Sequence, residues 1–219
     1  MTDCNVVVNL VGRDYETGRY TFDDVHRGFP SRLAALASDA GVTRLIHFSS
    51  VGAAHDAVAA KLRSQAEGED AVRAAFPTAT LVRPSPVFGS EDRLLRAWAA
   101  VSKLLPFVPL IDGGRTRMAP VEARDVAAAV VAILKDDATA GQTFSLGGPD
   151  VFTVAELIGI VFATIRESPS TLSVPARLAR LAATPRDVLQ TYLPFPVPVL
   201  PVRAFANTRV LFCAANTLF

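Results

Sequence analysis

Two adjacent serines occupy a point in the sequence where side chains often contact a ligand. Ser49 and Ser50 directly follow the apolar run Arg44–Phe48, which has the length and composition of a buried strand. In open α/β sheets, ligands bind beyond the carboxyl ends of the strands, so hydroxyl groups placed there could hydrogen-bond a ligand. Taken alone, however, two serines after a strand are more often only part of a loop.

The segments around the serines predict the elements that would position them. Residues 6–10 form a β-branched run typical of a buried parallel strand, and residues 80–82 predict a third strand. Helices are predicted over 25–40 and over the alanine-rich stretch 57–75. The apolar stripe of the first helix is predicted to contain Leu33, Leu36, Ala37 and Ala40. Strands that alternate with helices of about ten or more residues indicate an α/β fold with a doubly wound parallel sheet.

The next part of the chain predicts a smaller α/β unit. Helices are predicted over 94–105 and 122–135, and a strand over 143–146. Thr153 and Glu156 have the spacing of a capping box, in which each side chain binds the other residue's free backbone N–H at the start of a helix.

A proline-rich stretch follows this unit. Seven of the fifteen prolines lie between Pro169 and Pro201, and because proline cannot continue a helix, the stretch predicts an extended arm. The arm could cover the protein's own core, or it could form a docking surface for another protein or a membrane. We therefore divide the chain into a Rossmann-like domain over 1–165 and an arm over 166–219.

Composition and charge exclude several classes of partner and site. The net charge of +1 gives no electrostatic reason to expect nucleic acid as a partner. The two cysteines, Cys4 and Cys213, lie near opposite ends of the chain and form neither a metal-binding nor a disulfide pattern. No uncharged apolar run approaches the roughly 18 residues that a membrane-spanning helix needs. We therefore predict no metal site and no transmembrane segment.

Three features resemble the extended and atypical short-chain dehydrogenase/reductase superfamily. They are the order of strand, Ser-Ser, helix and strand, the segment Arg83-Pro84-Ser85-Pro86-Val87-Phe88-Gly89, and the signature-like segment 119–127. The resemblance implies an NAD(P)-binding Rossmann-type fold in which residues 6–12 lie beside the adenine and ribose. It also implies that a serine at the position of Ser50 assists catalysis and that the loop 83–89 passes under the nicotinamide.

The proton-transfer pair of that superfamily is missing from this chain. Its members use a tyrosine and a lysine four residues later, which share one face of a helix and let a phenolate form near neutral pH. None of the three tyrosines, at positions 15, 20 and 192, is followed by such a lysine. The matching positions carry Lys61 and Gln65 instead. We therefore predict no catalytic residue and no ordinary dehydrogenase chemistry.

The sequence also has no pyrophosphate-binding turn near its start. Dinucleotide folds open with a strand, a Gly-x-x-Gly-x-x-Gly turn and a helix, and Gly12, Gly18 and Gly28 are too widely spaced for it. The strand over 6–10 resembles the fourth strand of the fold, which pairs with the first, and without that neighbour it would be an exposed apolar edge. We hypothesise that this chain is the carboxyl-terminal half of the fold, and that the first three strands come from residues outside this sequence or from a separate chain.

A narrower resemblance is to the alpha subcomplex subunit 9 family, the dehydrogenase-like accessory subunits of mitochondrial respiratory complex I. The similar segments are residues 5–17, 41–49, 62–77 and 84–93, and the Gly-x-Glu-Asp-Arg sequence that ends the last segment is the most specific. The resemblance covers about residues 5–165. It implies a structural subunit on the matrix side of the mitochondrial inner membrane, at the junction of the peripheral and membrane arms.

Partners and cofactor follow from the same resemblance. The partners would be other subunits of complex I, with membrane lipid headgroups as a further option, and the cofactor would be NADPH, bound without turnover. The implied nucleotide contacts are Asn9, Leu10, Val11, Gly12, Ser49, Ser50, Pro84, Ser85 and Val87. Gln65 removes the ammonium group that would hold the ribose, and charge-assisted hydrogen bonds are about twice as strong as neutral ones. The alternatives are an atypical NAD(P)H-dependent reductase or epimerase-like enzyme and an NADPH-sensing module.

Overall fold

The computed structural model of the protein describes residues 4–92, 94–104, 107–168 and 170–178. Its strands, in chain order, are Val6–Asn9 (β1), Arg44–Phe48 (β2), Thr80–Pro84 (β3), Val87–Phe88 (β4), Phe107–Ile111 (β5), Arg117–Met118 (β6), Val121–Glu122 (β7), Thr143–Leu146 (β8), Phe152–Thr153 (β9) and Ser170–Val174 (β10). Its α-helices are Phe29–Asp39 (α1), Ala60–Ala75 (α2), Leu94–Leu104 (α3), Ala123–Lys135 (α4) and Val154–Ile165 (α5). A π-helical turn over Asp24–Gly28 leads directly into α1.

One parallel sheet, in the order β1-β2-β3-β8, forms the centre of the larger part, and helices cover both of its faces. Successive residues of a strand point to opposite faces of a sheet. Leu45 and Leu81 therefore face α1 and α2, where they pack with Val72. Ile46 faces the other side and packs with Ile133 of α4. The predicted α/β fold with a doubly wound parallel sheet is confirmed.

The buried face of α1 differs from the predicted stripe. Pro30, Ala34 and Ala37 are the buried residues of this helix, whereas Leu36 is 59% exposed. The predicted stripe is correct at Ala37 but wrong at Leu36 and Ala40, which are exposed, because Ala34 and Ala37 are the residues of α1 that pack with Val72 of α2 and with the sheet. Small residues let two helices and the sheet approach closely, so the leucine is left on the outer face.

A smaller unit lies around α3 and α5. Its core contains Trp98, Val108, Met118 and Phe162. At the start of α5, Thr153 and Glu156 make both reciprocal hydrogen bonds of the predicted capping box. Among the helices of the described ranges, none combines the length and the apolar character needed to cross a membrane.

The predicted arm falls only partly within the described residues. Ser170–Val174 is extended, and as β10 it pairs in parallel with β5 of the smaller unit. Residues 179–219 lie outside the described residues. The division of the chain at residue 165 therefore stays a prediction.

β1 forms one edge of the main sheet. It pairs with β2 on one side, and within the described residues no strand lies on its other side. Val6 and Val8 are 38% and 37% exposed. The expected outer neighbour is thus not supplied by the described part of this chain. An exposed apolar edge is unusual for a parallel sheet, since such sheets are normally covered.

Candidate functional site

A cavity of about 200 Å³ lies beyond the carboxyl ends of β1 and β2. Because these strands are parallel neighbours, the residues that follow them emerge at the same edge of the sheet. The cavity is lined by Leu10, Val11, Gly12, His26, His47, Phe48, Ser49 and Gln65. Four of the predicted nucleotide contacts, Leu10, Val11, Gly12 and Ser49, are therefore brought together, whereas Asn9 and Ser50 are not among the lining residues. The role of all six as nucleotide contacts stays a prediction.

The sheet side of the cavity is built by a short polar network. Asn9 lies opposite His47 in the strand register, and its Nδ2 is 2.9 Å from Nδ1 of His47. The Oδ1 atom of Asn9 accepts a hydrogen bond of 3.1 Å from the N–H of Val11. Ser49 extends the ladder of β2, since its N–H donates to the carbonyl of Val82 at 2.8 Å. Its own hydroxyl is buried and has no hydrogen-bond partner within residues 4–178 as the structure describes them.

The helix side of the cavity is formed by the π-helical turn and α2. Nε2 of His26 accepts a hydrogen bond from the N–H of Arg13 at 3.1 Å, and Nδ1 lies 2.8 Å from Oγ of Ser64. The π-helical turn can pack this closely against α2 because residue 68 of that helix is a glycine. A Cβ atom at Gly68 would lie 1.8 Å from the carbonyl oxygen of His26.

The positions that hold the proton-transfer pair in short-chain dehydrogenases make structural contacts here. Lys61 forms an ion pair with Asp14 in the loop after β1. Ser50 donates from Oγ to Oε1 of Gln65 at 2.6 Å. Residues four apart on a helix share one face, so α2 ties the loop after β1 and the loop after β2 to the same surface.

The other predicted contacts lie at the end of the next strand. Pro84 accepts a hydrogen bond at its carbonyl from the N–H of Val51, and the N–H of Ser85 donates to the carbonyl of Leu146 at 2.7 Å. Val87 lies in β4 and is partly exposed. These residues do not line the cavity. They would contact a ligand only if it extended from the cavity toward the centre of the sheet.

Burial makes both histidines of the cavity wall neutral at physiological pH. Loss of hydration lowers the pKa of His26 to about 4, and the nearby charge of Lys61 acts in the same direction. Burial also lowers the pKa of His47 to about 4, with partial opposition from the carboxylate of Glu69. The imidazoles therefore contribute hydrogen-bonding atoms to the cavity but no charge.

We expect the free energy of unfolding to fall as the pH is lowered from about 6.5 to about 4. Unfolded histidines bind protons near pH 6.5, while His26 and His47 resist protonation in the folded state down to about pH 4. The stabilisation is thus complete above the first value and is lost as the pH falls through the second. For His47 alone the difference corresponds to roughly 3 kcal/mol. Urea unfolding across this pH range measures it.

Two variants separate this effect from other acid effects. His47→Gln should flatten the pH dependence of the free energy of unfolding, because it removes one of the two histidines that resist protonation in the folded state. His55→Gln removes an exposed imidazole that lies 3.0 Å from the carboxylate of Asp70, and it serves as the control for replacing a histidine at the surface. Identical slopes in the two variants would contradict the assignment.

The sequence reasoning missed His26, His47 and Phe48 as cavity-lining residues. A polar residue on the buried face of an apolar strand was a usable signal for His47, because such a group needs a partner. No local signal pointed to His26, since its position depends on the π-helical turn and on Gly68 of a distant helix.

Several curated relatives of the chain are mitochondrial NADH dehydrogenase subunits. The chain is 44% identical over 200 residues to NADH dehydrogenase [ubiquinone] 1 alpha subcomplex subunit 9, mitochondrial, of Arabidopsis thaliana, a match that covers 90% of this chain and 50% of the relative. It is 37% identical over 193 residues to the NADH-ubiquinone oxidoreductase 40 kDa subunit, mitochondrial, of Neurospora crassa, covering 88% and 50%. For subunit 9 of Mus musculus the identity is 40% over 159 residues, covering 72% and 42%. The chain spans about half the length of the curated relatives it matches, and no family model matches it.

Solved structures with a similar fold are enzymes crystallised with nicotinamide nucleotides. UDP-glucuronic acid 4-epimerase from Bacillus cereus, in complex with NAD, has a TM-score of 0.67 at 14% identity and covers 79% of this chain and 64% of its own. The dTDP-4-dehydrorhamnose reductase from Bacillus anthracis, in complex with NADP, has a TM-score of 0.63 at 12% identity and covers 92% and 78%. At these identities the likeness shows the fold alone. The chain is therefore a homologue of alpha subcomplex subunit 9 of mitochondrial complex I, and it has a Rossmann-type fold like that of the nucleotide-binding epimerases and reductases.

Proposed function

We propose that the chain acts as an accessory, non-catalytic subunit, or part of one, in mitochondrial respiratory complex I. The observation that carries this proposal is the 44% identity to the Arabidopsis subunit over 90% of the chain. The proposed location is the matrix side of the inner membrane, at the junction of the peripheral and membrane arms. The proposed partners are other complex I subunits, with lipid headgroups at the membrane surface as a further contact.

The contacts of α2 support a non-catalytic role. Lys61 is paired with Asp14, and Gln65 accepts a hydrogen bond from Ser50, so neither position offers a phenol beside an ammonium group. Tyr15 and Tyr20 lie in the loop after β1, each with the guanidinium of one arginine, Arg13, over its ring. The face of α2 that would transfer a proton in a reductase here holds two loops together.

We further propose that NADPH binds at the carboxyl edge of the sheet without turnover. The proposed contacts are Asn9, Leu10, Val11, Gly12, Ser49, Ser50, Pro84, Ser85 and Val87. The unpartnered hydroxyl of Ser49 fits this proposal, because a buried polar group without a partner is costly and a ligand atom could satisfy it. The neutral Gln65 would hold a ribose less strongly than an ammonium group does.

The open edge of β1 supports a larger sheet in the assembled state. We propose that a strand from outside residues 4–178 pairs with the outer side of Val6–Asn9. Such a neighbour would bury Val6 and Val8 and would bond the outward backbone groups of the strand. Hydrogen exchange tests this directly: the outward N–H groups of β1 should exchange fast in the isolated chain and slowly in the intact complex. Equal exchange in both samples would contradict the proposal.

Purification of intact complex I from the organism that encodes the chain tests the main proposal. We expect the chain to remain with the complex through detergent solubilisation and size separation. Its absence from the intact complex would overturn the proposal.

Two further measurements separate the proposal from its rivals. With NADPH and a panel of carbonyl substrates we expect no turnover; turnover that Ser50→Ala abolishes would instead indicate an atypical reductase. Mass spectrometry of the nucleotide released on denaturation should find NADPH. An empty protein in a complete complex would contradict the cofactor proposal and the NADPH-sensing alternative together.

A further inference from the structure

Backbone contacts determine which nitrogen of His47 carries the proton. The N–H of Val11 donates to Oδ1 of Asn9, so the Nδ2 group of Asn9, which can only donate, faces Nδ1 of His47. Nδ1 must therefore accept. In a neutral imidazole the other nitrogen then carries the proton, so His47 has an Nε2–H group.

His26 has the opposite arrangement. The N–H of Arg13 donates to its Nε2, so the ring proton lies on Nδ1 and is donated to Oγ of Ser64. The hydroxyl of Ser64 in turn donates to the carbonyl of Lys61 at 2.8 Å. Both nitrogens of His26 are thus used within the protein. The Nε2–H of His47, by contrast, has no protein acceptor among the described residues.

A second donor lies on the same wall of the cavity. Ser49 follows His47 by two residues, and its hydroxyl is unpartnered although the residue is only 7% exposed. Leaving a buried donor unsatisfied costs about 1–3 kcal/mol, which is why such groups usually have a ligand or a water as partner. Both residues line the cavity, so the two side chains belong to the same wall.

We propose that Asn9 is a positioning residue that fixes His47 as an N–H donor, and that His47 and Ser49 together bind one uncharged oxygen acceptor of the ligand. A sugar hydroxyl or an amide carbonyl is such an acceptor. A phosphate does not fit, because the imidazoles are neutral and Lys61 is paired with Asp14. The identification of the ligand as NADPH rests on the proposed function. The phosphates of the nucleotide would then lie outside this cavity.

The protonation pattern of His47 is tested by ¹⁵N NMR of the imidazole nitrogens in the full chain. The unaltered chain should show a protonated Nε2 and a bare Nδ1. In Asn9→Asp the carboxylate can only accept, so Nδ1 should become protonated. Asn5→Asp adds the same charge at an exposed position and should leave His47 unchanged. A protonated Nδ1 in the unaltered chain, or no change in Asn9→Asp, would overturn the role of Asn9.

Ligand titrations test the donor pair. Ser49→Ala should weaken NADPH binding about 2- to 10-fold, as the loss of one neutral hydrogen bond does. It should not lower the free energy of unfolding, because the hydroxyl has no partner in the described part of the chain. Adenosine 2′,5′-bisphosphate keeps the adenosine ribose but lacks the nicotinamide and its ribose, so its affinity for the two proteins shows which half of the nucleotide carries the acceptor.

The possible outcomes of the titrations test the donor pair and the proposed nucleotide function separately. Equal NADPH affinity in the two proteins would overturn the donor pair. Equal weakening of both ligands would support it with the acceptor on the adenosine half, and weakening of NADPH alone would support it with the acceptor on the nicotinamide half. If the unaltered chain binds no NADPH, the proposed nucleotide function fails and the ligand assignment fails with it. The NMR measurement then still decides whether Asn9 fixes the tautomer of His47.

Discussion

Gly68→Ala is expected to lower the free energy of unfolding by about 3 kcal/mol or more. The added Cβ atom would lie 1.8 Å from the carbonyl oxygen and 2.9 Å from the carbonyl carbon of His26. Both obstacles are backbone atoms, so no side-chain rotation can relieve the overlap. The π-helical turn would have to move away from α2, and urea unfolding measures the cost.

The same displacement should open the cavity. His26 connects the N–H of Arg13 to Ser64, and it can do so only while the turn rests on α2. We therefore expect Gly68→Ala to speed up hydrogen exchange at the N–H of Arg13 by more than the loss of global stability alone explains.

Gly159→Ala is the matched control. This glycine also lies inside a helix, but a Cβ atom there would meet nothing within 4 Å. Alanine is a better helix former, so Gly159→Ala should raise the free energy of unfolding by up to about 1 kcal/mol. If Gly68→Ala is equally benign, the close contact between the turn and α2 is wrong.

The sheet and one edge of the site could be predicted from local patterns. Short apolar strands alternating with helices require parallel strands, and the ends of parallel strands meet at one edge. That rule alone places Gly12 and Ser49 around a common cavity. The capping box at Thr153 could also be predicted, because both partners lie within four residues of each other.

The helix side of the cavity could not be predicted in this way. His26 reaches Ser64 across 38 residues of sequence, and the contact exists only because Gly68 leaves room for a turn with π-helical geometry. The buried face of α1 was predicted correctly at Ala37 and wrongly at Leu36, for a related reason. Close packing selects small side chains such as Ala34, and hydrophobic periodicity gives most weight to large ones such as Leu36.

Arg83→Met is expected to lower the free energy of unfolding by about 3–5 kcal/mol. Arg83 is the last residue but one of β3 and the first residue of the predicted loop 83–89, and it binds both carboxylate oxygens of Glu69 in α2, with Nε 2.8 Å from Oε1. The hydrogen bond to Glu69 raises the pKa of Arg83 above its usual range. The Glu69 side chain is only 4% exposed, so the variant would leave a buried carboxylate without its partner.

The double variant Arg83→Met/Glu69→Leu distinguishes a stranded charge from lost packing. Replacing both members of a buried pair by apolar residues is often nearly neutral, so we expect the double variant to recover most of the lost stability. Arg27→Met removes an arginine from a largely exposed pair with Asp23 and should cost less than about 1 kcal/mol. A double variant as unstable as Arg83→Met would mean that packing of the arginine stem, rather than its charge, holds α2 to the end of β3.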